Sequence, residues 1–72
     1  MINNLKHEIN KFSEIIEKDY KDKVITPKQR FYMLKEIESL EVFIENKTYN
    51  MGRLKLVGLK NAYFIMKDLE EY

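Results

Sequence analysis

Ile25-Thr26-Pro27-Lys28-Gln29-Arg30-Phe31-Tyr32-Met33-Leu34-Lys35-Glu36-Ile37 holds the strongest local signal in this chain. Thr26 can cap a helix with its hydroxyl, and Pro27 stands at the first helical position, where its missing N–H costs nothing. Gln29 falls at the third position, from which its amide can reach back to the cap. A helix therefore starts at Pro27. Its hydrophobic staple is incomplete, because the position that would pair with Ile25 holds Arg30. Downstream, Met33, Ile37, Leu40 and Ile44 follow at intervals of four, three and four, with Leu34 alongside. They form one stripe of a helix that runs to about residue 47.

The same period extends outward in both directions. Toward the N-terminus, Ile2, Leu5, Ile9, Phe12 and Ile16 are spaced three, four, three and four apart, and Tyr20 continues their stripe past Asp19. This predicts a first helix over about 2–22. Toward the C-terminus, Asn46 to Gly52 gathers poor helix formers and ends on a glycine that can take the left-handed conformation, so a turn is expected there. Beyond it Gly58, Ala62, Ile65, Leu69 and Tyr72 repeat at four, three, four and three, with Leu54, Leu59 and Met66 widening the face. This predicts a third helix over 53–71. The rival pattern is a short strand at Arg53 to Val57, where Leu54 and Leu56 alternate with basic residues and Lys23 to Thr26 could pair with it. The fold expected is all-α: one domain over 1–72, built of three helices, with the second and third forming an antiparallel hairpin.

Charge is blocked along the chain. Residues 1–20 sum to −1, 21–35 to +4, 36–46 to −4, 47–60 to +4 and 61–72 to −2, giving the net +1. The blocks oppose the helix dipoles, since Lys28 and Arg30 open the second helix and Glu41 and Glu45 close it. In an antiparallel hairpin, Glu41 and Glu45 would lie beside Arg53 and Lys55 and offset that clash. A second reading makes Lys21, Lys23, Lys28 and Arg30 an anion-binding patch, with Tyr20 or Tyr32 as a stacking face for a small anionic ligand such as a nucleotide. Nonspecific DNA binding ranks third. Sequence-specific reading of DNA is weaker still, because only two arginines are present.

Several function classes lack their residues. The chain has no cysteine and one histidine, His7 on the polar side of the first helix, so no metal site is expected. Its carboxylates recur at helical spacing but alternate with lysines, and Ser13 and Ser39 have no base nearby in sequence. A catalytic role is not expected, nor a cofactor. No apolar run approaches a membrane span, and Met1 to Lys6 lacks the apolar block of a signal peptide, which points to a cytoplasmic protein. Eleven lysines against two arginines, with eight isoleucines and six asparagines, suggests an AT-rich genome, and the phages and mobile elements of such hosts encode many proteins of this look.

The remaining signal is surplus apolar surface. On the second helix Tyr32 and Phe43, and Phe31 and Val42, lie eleven residues apart on lines of their own, and on the third Val57 and Phe64 fall off the main stripe. Tyr32, Phe43, Val57 and Phe64 are therefore the candidate interface residues. They point to a noncatalytic helical interaction protein that self-associates and binds a larger protein partner, as inhibitors, antitoxins and small regulators do.

Overall fold

A computed structural model describes residues 4–70, with side chains to Lys67. Its regular structure is helical throughout: α1 Asn4–Lys21, α2 Pro27–Glu38, α3 Glu41–Glu45 and α4 Tyr49–Glu70. No strand occurs among the described residues, and Arg53 to Val57 lies inside α4. Ile2, Leu69 and Tyr72, placed on helical stripes by their spacing, fall outside the described side chains. The 22 residues of α4 set the long axis of a body measuring 39 × 19 × 18 Å. A helix of that length spans about 33 Å.

α1 buries Leu5, Ile9, Phe12 and Ile16, the stripe its spacing requires, and packs against each of the other three helices. It closes with Lys23 in the left-handed region at φ 63°. The Val24 N–H donates to the Asp19 carbonyl at 2.8 Å and the Lys23 N–H to that of Tyr20 at 3.1 Å, which together form a Schellman ending. α2 opens as the sequence requires. Gln29 N–H donates to the Thr26 hydroxyl at 3.1 Å, and Thr26 N–H donates to the Gln29 side-chain oxygen at 2.8 Å.

The second helix does not run unbroken to residue 47. At Ser39 and Leu40 the backbone stays right-handed, but Leu40 N–H bonds to the Ile37 carbonyl and Phe43 N–H to that of Leu40, one residue closer than α-helical pairing. Ser39 donates its hydroxyl to the Glu36 carbonyl at 2.6 Å, and this local competitor for backbone pairing sits at the joint. The break moves Glu41 into the first turn of α3, where a carboxylate suits the dipole. The clash expected of Glu41 at a helix end is thereby removed.

The third helix begins at Tyr49, four residues before the expected start. Lys47, at φ 60°, takes the left-handed turn, and Thr48 accepts the Gly52 N–H at 3.1 Å as the first helical bond. Gly52 therefore does not end a helix. It lies inside α4, buried, where a Cβ would stand 2.6 Å from Leu5 Cδ2 and 2.9 Å from Phe43 Cβ. The absent side chain is what lets α4 approach α1 and α3.

The inward face of α4 is also not the expected one. Gly52, Leu56 and Tyr63 are buried and Tyr49, Leu59 and Met66 half-buried, a stripe at intervals of three, four, three, four and three. Gly58, Ala62 and Ile65, read from sequence as the core stripe, are exposed. Contacts of α1 with α4 rise together along both chains, from Leu5 at Gly52 and Glu8 at Arg53 to Asp19 at Tyr63 and Lys67, so these two helices run parallel. Arg53 pairs with Glu8 of α1 at 3.7 Å, and neither Glu41 nor Glu45 pairs with Arg53 or Lys55 among the described residues. The basic start of α4 is answered by α1, because α1 lies on the side to which Arg53 points.

Gly52→Ala is expected to lower stability by up to about 2 kcal/mol, an overpacking cost of about 1–3 kcal/mol set against a gain of about 1 kcal/mol from the better helix former. Lys47→Gly should raise stability by about 0.5–1 kcal/mol by relieving a left-handed non-glycine residue. Urea denaturation midpoints check both; an unmoved midpoint for Gly52→Ala would mean that Leu5 and Phe43 make way freely.

Candidate interaction surface

The polar centre of the fold joins α1 to α4. Tyr63 is fully buried, and a buried phenol needs a partner. Its hydroxyl donates to Asp19 Oδ2 at 2.6 Å, and Lys67 Nζ donates to the same oxygen at 2.9 Å. The Lys67 ammonium also stands 5.0 Å from the Tyr63 ring and 5.1 Å from that of Phe64, and Phe12 meets Tyr63 edge-on at 5.5 Å. Burial pushes the Asp19 carboxyl up, but the hydrogen bonds from Tyr63 and Lys67 and the Lys67 charge together hold it below the usual carboxylate value. Burial first, and then the bond to Asp19, push the Tyr63 phenol above its ordinary value. Asp19 thus stays ionised and Tyr63 protonated through the neutral range. The cluster acts as a strut between helices.

A second polar link joins α1 to α2. Arg30 donates to both carboxylate oxygens of Glu17, at 2.8 and 2.9 Å, and its guanidinium lies 5.0 Å from the Tyr20 ring centroid. The bond from Arg30 holds Glu17 below its ordinary value. Of the candidate anion ligands, Arg30 is therefore engaged within the fold. Tyr20, Lys21 and Lys23 come together with Ile25 and Pro27 around a shallow depression at the α1–α2 turn, while Lys28 and Tyr32 are exposed outside it. His7 is exposed on α1, no group of three or more His, Cys, Asp and Glu is placed to hold a metal among the described residues, and no described helix is long and apolar enough to cross a membrane.

What remains is apolar and faces outward. Among the described residues ten hydrophobic side chains form the core, and eleven large ones, aromatics included, are exposed. Of the four candidate interface residues, Tyr32, Val57 and Phe64 are exposed. Phe43 is half-buried against the core and beside Gly52, so it is largely used inside the fold. Two outward lines emerge. On α2 and α3, Phe31 and Val42 stand beyond the Met33–Ile37 face, with Lys35 5.9 Å from the Phe31 ring. On α4, Met51, Leu54, Val57, Phe64 and Ile65 are all exposed.

The spacing of Met51, Leu54 and Ile65 makes them a helical face, yet sequence reasoning assigned Leu54 and Ile65 to the core. A contrary signal was present: Arg53, Lys60 and Lys67 recur at seven and seven, marking a polar line of α4 that could pair with the acids of α1. Comparison with protein-family models, with curated proteins and with solved structures finds no match to this chain.

Asp19→Asn should cost about 1–3 kcal/mol at neutral pH, since the Tyr63 hydroxyl and Lys67 lose a charged partner. A carboxyl held low in the folded state adds stability that is complete above its unfolded value and is lost as pH falls through the folded value. The gap between wild type and Asp19→Asn should therefore narrow in thermal melts from neutral pH down to about pH 3. A gap independent of pH would show that the carboxylate charge contributes nothing.

Proposed function

We propose that this chain is a noncatalytic helical interaction protein of the inhibitor, antitoxin or regulator kind, acting in the cytoplasm by self-association and by binding a larger protein partner. In this reading α2–α3 and α4 form an antiparallel hairpin that carries the contact surfaces. The observation behind it is the set of eleven exposed large hydrophobic side chains among the described residues, against ten buried in the core. Contiguous patches of that kind generally mark protein contacts, and a 72-residue chain with no cysteine gains stability from covering them.

The larger partner fits the α2–α3 line, where aromatic Phe31 and Tyr32 project beside Lys28 and Lys35. Aromatic anchors of this type carry most of the energy at protein interfaces. Affinity capture from the native host should recover one protein in stoichiometric amount with wild type. Tyr32→Lys together with Phe31→Lys should abolish its recovery and leave the circular dichroism unchanged. Equal recovery by wild type and variant would remove this line from the reading.

One observation favours a second function, sequestration of a small anionic ligand: Lys21 and Lys23 share a depression with Tyr20. A nucleotide bound there, at about 100 times its Kd, would add about 2.7 kcal/mol of stability. A thermal-shift panel of nucleotides on wild type and Lys21→Glu tests it, and no shift with any nucleotide would exclude it.

A further inference from the structure

Resting on the reading of this chain as an interaction protein, we propose that the outer face of α4 pairs with the same face of a second copy, antiparallel, about a two-fold axis at Asn61. Leu54 and Asn61, Val57 and Phe64, and Gly58 and Ile65 are three pairs of positions seven residues apart, which together trace a heptad seam along the helix. All six residues are exposed. The charged residues between Leu54 and Ile65 are Lys55 and Lys60, which at about 100° per residue flank the seam on either side, and Arg53 and Lys67 are turned toward Glu8 and Asp19 of α1. The heptad continues to Asp68, whose side chain lies outside the described residues.

The area suffices for a pair. Leu54, Val57, Phe64 and Ile65 are 75%, 55%, 45% and 60% exposed, and Met51 extends the patch at 61%. Together they present on the order of 500 Å² of apolar surface, within the range in which exposed patches are functional. Two such faces approach about 1,000 Å², the lower bound for a specific interface.

Shape and charge both favour a second copy in antiparallel register. A two-fold axis at Asn61 sets Gly58 against Phe64 of the second copy and Val57 against Ile65 of the second copy. Gly58 has no heavy atom within 4 Å of where its Cβ would be, so the monomer gives it no packing reason to be glycine. A glycine inside a helix costs about 1 kcal/mol relative to alanine, and close approach by another body is the usual compensation. On the axis the two Asn61 amides can each donate and accept, and a single buried asparagine in an apolar seam is a device for fixing register.

A parallel pair would oppose glycine to glycine and ring to ring, leaving a void at one level and a clash at the next. It would also align like charges. The antiparallel pair sets the half of α4 that carries Lys55 and Lys60 beside the half whose sequence carries Asp68 and Glu70.

The chain has no cysteine, so single cysteines report the geometry directly. Wild type should sediment at twice its 8.8 kDa mass at micromolar concentration. Asn61→Cys should oxidise to a disulfide-linked dimer, while Leu54→Cys should not, because the two Leu54 positions would lie about 21 Å apart along the paired helices. Phe64→Lys, whose parent side chain is already exposed, should keep its helicity by circular dichroism and raise the dimer dissociation constant at least about tenfold. A chain still monomeric at about 100 µM overturns the pairing, as does efficient cross-linking through Leu54→Cys. A monomer that nevertheless captures a larger protein overturns the α4 pairing and self-association with it, and leaves the larger-partner reading standing. A dimer that captures none supports the pairing and removes the larger-partner reading.

Discussion

The buried hydroxyl of Tyr63 is the constraint from which the rest of the arrangement follows. A phenol taken wholly out of water must find an acceptor, and among the described residues it finds Asp19, two residues before the end of α1. Lys67, one turn further along α4, closes the same carboxylate from the other side. Turning α4 so that Gly58, Ala62 and Ile65 faced inward would carry Tyr63 to the surface and leave Asp19 without both donors. The rotation of α4 about its own axis is therefore fixed by a polar contact, although the helix is apolar on almost every side.

Fixing that rotation decides what the protein shows to its surroundings. With Leu56 and Tyr63 committed to the core, Leu54, Val57, Phe64 and Ile65 cannot be. Gly52 reinforces the choice from the other end, since only a residue without a Cβ fits between Leu5 and Phe43. The outer faces of α4 and of α2 look away from the shared core in different directions, so both can be occupied at once. A chain of this size buries a smaller share of its surface than a larger domain does, so its core is thin and part of its apolar surface stays outside. Two polar clusters, Asp19 with Tyr63 and Lys67 and Glu17 with Arg30, tie helix to helix.

Local chemistry alone determined the helical character of this chain, the Thr26–Gln29 capping box, the α1 stripe and the Met33–Ile37–Leu40 stripe, because each rests on residues within a few positions of one another. The exposure of Tyr32, Val57 and Phe64 was legible for the same reason: once a helix has one inward stripe, residues opposite it face outward. Where the second helix breaks was not legible, since the joint depends on the Ser39 hydroxyl preferring the Glu36 carbonyl and on Leu40 reaching the core. The start of α4 is not legible locally, because Thr48 stands among residues that also make turns and its hydroxyl turns back to the Phe43 carbonyl rather than forward onto the helix.

Only tertiary structure decided which face of α4 is core. Two apolar stripes with nearly the same spacing run along that helix, and the polar line of Arg53, Lys60 and Lys67 separates them only once α1 supplies its partners. The sequence by itself specified that α4 is a helix and that it has more apolar surface than one core can take. The choice between the stripes came from residues 44 and 48 positions away, through the bonds of Tyr63 and Lys67 to Asp19, and from the contact of Leu5 with Gly52. Contacts at such separations leave no local pattern, because their energy exists only once α1 and α4 lie side by side.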